Sequence, residues 1–195
     1  MKWYRVLLSI FVLNVGVFAG SAQSSEMILF TTFDDYTHYL TEINLDGTHK
    51  QILASSYSGW FEASPDGEKI VLLQHRSGAI MEGEYDIYLF DYDTSELIQL
   101  TQSRANVHPI WSPDGGYIAY LSGQYEKFDI YLVSLDDLRL VEGDLPLPLR
   151  LTDLESSITE LAWSPDGQQL AFVMCETGSP CSIYLMLIDG TGLRE

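Results

Sequence analysis

Positive charge is scarce in this 195-residue chain: ten lysines and arginines stand against 28 aspartates and glutamates, a formal net charge of −18. A surface this acidic repels phosphate backbones and anionic headgroups, which argues against nucleic-acid binding and electrostatic docking on lipid. Cysteine is nearly absent, with Cys175 and Cys181 alone. Two thiols cannot close a zinc site, and no histidine lies near them in sequence. Histidine is limited to His38, His49, His75 and His108, with no two at metal-ligand spacing. The nucleophile-elbow pattern Gly-x-Ser-x-Gly is missing, as is the Asp-x-Asp-x-Asp-Gly calcium loop. Beyond the first 22 residues no apolar run is long enough to cross a bilayer.

What is present begins with a leader. Lys2 and Arg5 precede an apolar stretch from Val6 to Phe18, and the small residues Ala19-Gly20-Ser21-Ala22 follow it. This pattern predicts a secretory signal over residues 1–22, cleaved after Ala22 or Ser21, with an uncleaved anchor as the competing reading. No cysteine follows the apolar run to carry a lipid. Cleavage leaves eight basic against 28 acidic residues, a net charge of −20. The expected location is therefore periplasmic or extracellular. In such a compartment Cys175 and Cys181, bracketing Glu-Thr-Gly-Ser-Pro, read as a disulfide across the base of a hairpin loop, with two free thiols as the alternative.

The rest of the chain is repetitive. Glu62-Ala63-Ser64-Pro65-Asp66-Gly67, Ile110-Trp111-Ser112-Pro113-Asp114-Gly115 and Ala162-Trp163-Ser164-Pro165-Asp166-Gly167 have serines 48 and 52 residues apart. Proline presets φ at the second position of a tight turn, while serine and glycine suit the first and fourth. An apolar strand follows each turn, then a second strand: Asp86-Ile87-Tyr88-Leu89, Asp129-Ile130-Tyr131-Leu132 and Ser182-Ile183-Tyr184-Leu185. Leu100-Thr101 and Leu151-Thr152 close the first two units. Each unit thus predicts four antiparallel strands, a sheet with two apolar faces that only stacked neighbours can bury. The expected fold is an all-β propeller of four-stranded antiparallel blades. Three strands lie before the first turn and three in the last unit, so about three and a half blades are expected, an incomplete or truncated ring. The expected units are a partial blade at 27–54, blades at 59–101 and 107–152, and a partial blade at 159–195. The edges of an unclosed ring would be prone to association.

These residues resemble the TolB-like propeller repeat, whose pattern is roughly Trp-Ser-Pro-Asp-Gly, Ile-Ala-Tyr, Asp-Ile-Tyr-Leu, Asp-Gly and Leu-Thr. The resemblance runs from Met27 to Gly190. Ala63 stands where tryptophan is expected, with Trp60 nearby, Ser182 replaces the aspartate, and Asp136 to Pro148 is an insertion. The resemblance implies a non-enzymatic protein-binding or scaffold module of the bacterial cell envelope. TolB itself works in the periplasm with outer-membrane and peptidoglycan-associated partners. Two enzymatic alternatives share the resemblance: a metal-dependent uronate lyase, and a propeller remnant of a prolyl-oligopeptidase-type peptidase.

Paired acidic residues (Asp34-Asp35, Asp91 with Asp93, Asp136-Asp137) read as solvated loops, with weak calcium binding as the one cofactor left open. The expected recognition surface is the set of loops on the face opposite the Ser-Pro-Asp-Gly turns. Its candidate binding residues are Tyr36, Tyr57, His75, Arg76, Arg104, His108 and Tyr125, since aromatic and arginine side chains on loops suit a protein partner. Trp60, Trp111 and Trp163 are expected to pack between blades.

Overall fold

The computed structural model describes residues 27–34, 37–55, 57–75, 85–103, 105–124, 127–136, 145–154, 156–176 and 178–195. The expected leader lies outside them. Among the described residues there is no helix, and fourteen strands form four antiparallel sheets. The first holds β1 (Met27–Asp34), β2 (Thr37–Asn44) and β3 (Gln51–Ser55). The second holds β4 (Tyr57–Ala63), β5 (Lys69–His75), β6 (Tyr85–Asp91) and β7 (Glu96–Gln99). The third holds β8 (Asn106–Trp111), β9 (Tyr117–Gln124), β10 (Lys127–Ser134) and β11 (Leu149–Arg150). The fourth holds β12 (Ser157–Trp163), β13 (Gln169–Cys175) and β14 (Ser182–Leu187). Strands pair in chain order within each sheet, and no sheet closes on itself.

The Ser-Pro-Asp-Gly turns explain this regularity atom by atom. Ser112 donates its N–H to the Tyr117 carbonyl at 2.9 Å, and Gly115 donates its own to Ser112 at 2.9 Å. The Ser112 hydroxyl accepts the Tyr117 N–H at 2.9 Å and donates to Asp114 Oδ1 at 2.5 Å. Asp114 Oδ1 also accepts the Gly116 N–H at 3.0 Å. Ser64 with Asp66 and Ser164 with Asp166 repeat the arrangement. Gly67, Gly115 and Gly167 all sit at φ near +70°, where a side chain would be strained. The serine is therefore a hub of the turn as well as its first residue, and Ser112 is buried.

Alternation along the strands supplies three inter-sheet cores. Ile70 and Leu72 face the first sheet with Leu29 and Leu40, while Val71, Leu73, Ile87 and Leu89 face the third with Trp111, Ile118 and Tyr120. Ala119, Leu121, Ile130 and Leu132 then meet Ile158, Leu170, Phe172 and Met174 of the fourth. A strand buried on both sides must be apolar throughout, which is why Ile70 to Leu73 carries no polar residue. The tryptophans tie sheets together, as expected for inter-blade packing. Trp111 donates its indole N–H to the Glu62 carbonyl at 3.2 Å, and Trp163 donates to that of Ile110 at 3.4 Å. Trp60 does not stand in for the missing tryptophan at Ala63, because it packs toward the third sheet. Phe61, two residues before Ala63, faces the first sheet instead.

One feature escapes a reading by repeat alone. The first strands β4, β8 and β12 each carry an irregularity, between Tyr57 and Phe61, Val107 and Ile110, and Ile158 and Glu160. In β8 it holds His108 at φ +51°, a left-handed backbone uncommon outside glycine and asparagine.

Candidate functional site

The third and fourth strands of a blade are clasped at their loop-face end by the aspartate and threonine of the repeat. In the third sheet the Ile130 N–H donates to Thr152 Oγ1 at 2.9 Å, and the Thr152 hydroxyl donates to Asp129 Oδ1 at 2.9 Å. Asp129 Oδ1 also accepts the Leu154 N–H at 3.1 Å, and its second oxygen accepts Arg150 at 2.6 Å. Arg150 reaches Asp153 Oδ1 as well, at 2.5 Å. In the second sheet Ile87, Thr101 and Asp86 form the same clasp, with the Ile87 N–H to Thr101 Oγ1 at 2.9 Å. Here fully buried Asn106 joins, donating to Thr101 Oγ1 at 2.9 Å and to the Tyr85 carbonyl at 3.0 Å. Ser103 donates to Asn106 Oδ1 at 2.5 Å and lies 3.3 Å from the Ser122 hydroxyl.

The third-sheet clasp borders a groove of about 420 Å³ at the loop-face end of that sheet. Ser103, Ser122, Lys127, Asp129, Arg150 and Asp153 supply its polar lining. Among the described lining residues two cations and two carboxylates balance, in a chain that is otherwise strongly acidic. Asp129 is committed to Thr152, Leu154 and Arg150, and the Ser103 and Ser122 hydroxyls meet each other and an amide rather than a base. Among the described residues no three histidine, cysteine, aspartate or glutamate side chains gather to hold a metal ion.

The expected recognition residues fall variously. His75 ends β5 with its ring 4.2 Å from that of Tyr85, and His108 occupies the β8 irregularity. Tyr57 begins β4, although its side chain lies outside the described residues, as do Tyr36, Arg76, Arg104 and Tyr125. Of the two whose side chains are described, neither His75 nor His108 lines the groove. The loop segments expected on this face do contribute, through Ser103, Ala105, Gly123 and Lys127. Sequence reasoning missed Asp129, Arg150 and Asp153, although the repeated pairing of Asp-Ile-Tyr-Leu with Leu-Thr was a signal for the clasp. Cys175 and Cys181 form a disulfide, with their Cα atoms 4.2 Å apart at the base of the β13–β14 loop.

No family model matches the chain. The Protein TolB homolog of Chlorobaculum tepidum is 30% identical over 130 residues, which covers 66% of this chain and 26% of that protein. The chain thus spans about a quarter of the length of this curated relative. Among solved structures, the putative TolB from Agrobacterium tumefaciens superimposes with a TM-score of 0.65 at 21% identity, over 86% of this chain and 60% of that one. An oligogalacturonate lyase in complex with manganese superimposes at 0.60 with 18% identity, over 85% of this chain and 51% of that one. Identities this low carry the fold across and leave activity aside. With its repeated turns, clasps and inter-sheet cores, the chain is a run of TolB-like β-propeller blades.

Proposed function

We propose that this chain is a non-enzymatic recognition module of the bacterial envelope, and that it takes a protein partner on its loop face at the groove over the third sheet. The observation that supports this most is the state of the groove's reactive groups. Among the described residues, Arg150 is held by Asp129 and Asp153, the Thr152 hydroxyl by Asp129, and the Ser103 and Ser122 hydroxyls by each other. Such a frame offers oriented donors and acceptors to a polar segment. The location rests on the leader pattern of residues 1–22 and on the resemblance to TolB.

The test compares the purified chain with its Lys127→Glu variant, which reverses one charge on the groove rim. Cross-linking in an envelope fraction should join the chain to a defined protein, and the variant should lose that product at least tenfold. Equal cross-linking by both would overturn the assignment of the groove. Cleavage of oligogalacturonate by the purified chain supplied with manganese would overturn the non-enzymatic reading in favour of a lyase.

A further inference from the structure

Five turns of this chain are built on the sequence Asp-Gly, at Asp46, Asp66, Asp114, Asp166 and Asp189. Glycine serves the backbone there, since Gly47, Gly67, Gly115, Gly167 and Gly190 all have φ between +69° and +82°. The same lack of a side chain opens Asp-Gly to a covalent rearrangement. The glycine nitrogen gives up its proton and attacks the aspartate Cγ, the carboxyl releases an oxygen as water, and a succinimide ring closes. Water then adds back at either carbonyl, so no atom is gained or lost overall. Addition at the original main-chain carbonyl routes the chain through the side chain as isoaspartate, which lengthens a tight turn by a methylene.

In each of the five turns the fold holds the reacting groups away from this course. The glycine N–H donates to the carbonyl three residues earlier, on Asn44, Ser64, Ser112, Ser164 and Leu187, at 2.9 Å in every case. Aspartate Oδ1 accepts the N–H two residues on, from Thr48, Glu68, Gly116, Gln168 and Thr191, at 2.9–3.0 Å. Each carboxyl thus reaches over the glycine to the residue beyond it. The same oxygen accepts a hydroxyl at 2.5–2.7 Å. Serine supplies that hydroxyl from two residues before the aspartate in the Ser-Pro-Asp-Gly turns, and Thr48 and Thr191 supply it from two residues after in the others. Two turn designs therefore pin the same atom from opposite sides. The hydroxyls hold the carboxyls of Asp46, Asp114, Asp166 and Asp189 below their ordinary 3.8. At Asp66 burial opposes that shift and is outweighed by the Ser64 and Glu68 bonds. An ionised carboxyl must regain a proton before its oxygen can leave as water.

We infer that the five Asp-Gly steps are latent modification sites, closed to isoaspartate formation while their turns are intact and converted only from turns that have opened. Each step is then a covalent record of local unfolding.

The test incubates the purified chain in physiological buffer and, in parallel, in guanidinium chloride. Isoaspartate is counted at each of the five sites by peptide mass spectrometry with electron-transfer fragmentation. Formation in the folded chain should be at least about tenfold slower at every site, because it proceeds through the open fraction alone. Thr48→Val removes the hydroxyl at an exposed turn and keeps the backbone N–H, so this variant should fold. Relative to its own rate in guanidinium, it should gain isoaspartate several-fold faster at Asp46, with the other four sites unchanged. A folded parent chain that isomerises at these steps as fast as the unfolded one would overturn the inference. So would a Thr48→Val chain that matches the parent at Asp46, or one that speeds up equally at all five sites, since protection would then not reside in the turn.

Discussion

At the scale of single residues, the serine of each Ser-Pro-Asp-Gly turn concentrates more structure than its size suggests. Ser112 holds Tyr117 and Asp114 through one buried hydroxyl. Ser112→Ala should cost about 1–3 kcal/mol, because the Tyr117 N–H loses its acceptor, and urea denaturation measures this directly. The partner aspartate introduces a pH dependence. The Ser112 hydroxyl and the Gly116 N–H hold the Asp114 carboxyl below its ordinary value of 3.8. A carboxyl lowered by folding stabilises above the ordinary value, and that contribution is lost as pH falls through the lowered one. Asp114→Asn should therefore flatten the acid limb of the stability profile and leave its slope near neutrality unchanged. The turn could be read in the sequence because proline and glycine declare their backbone angles. That its serine is buried could not, since burial depends on where the neighbouring turns stack.

Among elements, the first sheet stands apart at one position. Glu42 occupies the place held by Leu89, Leu132 and Leu185, and it lies against Tyr92 of the second sheet. Burial pushes its carboxyl above the ordinary 4.5, an effect only partly offset by the Tyr92 hydroxyl. A carboxyl raised by folding has the opposite sign to Asp114: stability falls as pH climbs from about 4.5 through the raised value. Glu42→Leu restores the residue type of the repeat. It should stabilise the chain at neutral pH, and the gain should shrink as pH falls through the raised value, as read from urea midpoints across the pH range. Strand positions were legible from alternation and from the turns that bound them. The groove was not, because Asp129, Arg150 and Asp153 come beside Ser103 and Ser122 only once β8 to β11 have paired.

In the whole molecule, stability is distributed along a stack. The second and third sheets are packed on both faces, while the outer faces of the first and fourth carry exposed Ile52 and Ile183. Units bound only to their neighbours open from the ends inward. Amide hydrogen exchange should therefore be at least tenfold slower at Val71, Leu72, Ile118 and Ala119 than at Leu29 and Ile183; uniform protection would show instead that the four sheets open as one unit. The irregular first strands have a separate consequence. Next to the turns the register is constant, with Ala63 opposite Ile70, Trp111 opposite Ile118 and Trp163 opposite Leu170. Any difference in strand length is taken up beyond the irregularity, toward the loop face. The two ends of the stack are thus insulated from each other: insertions and deletions can resize the loops at the far end while the turns keep their spacing. One end serves as a fixed chassis and the other as a surface free to diversify.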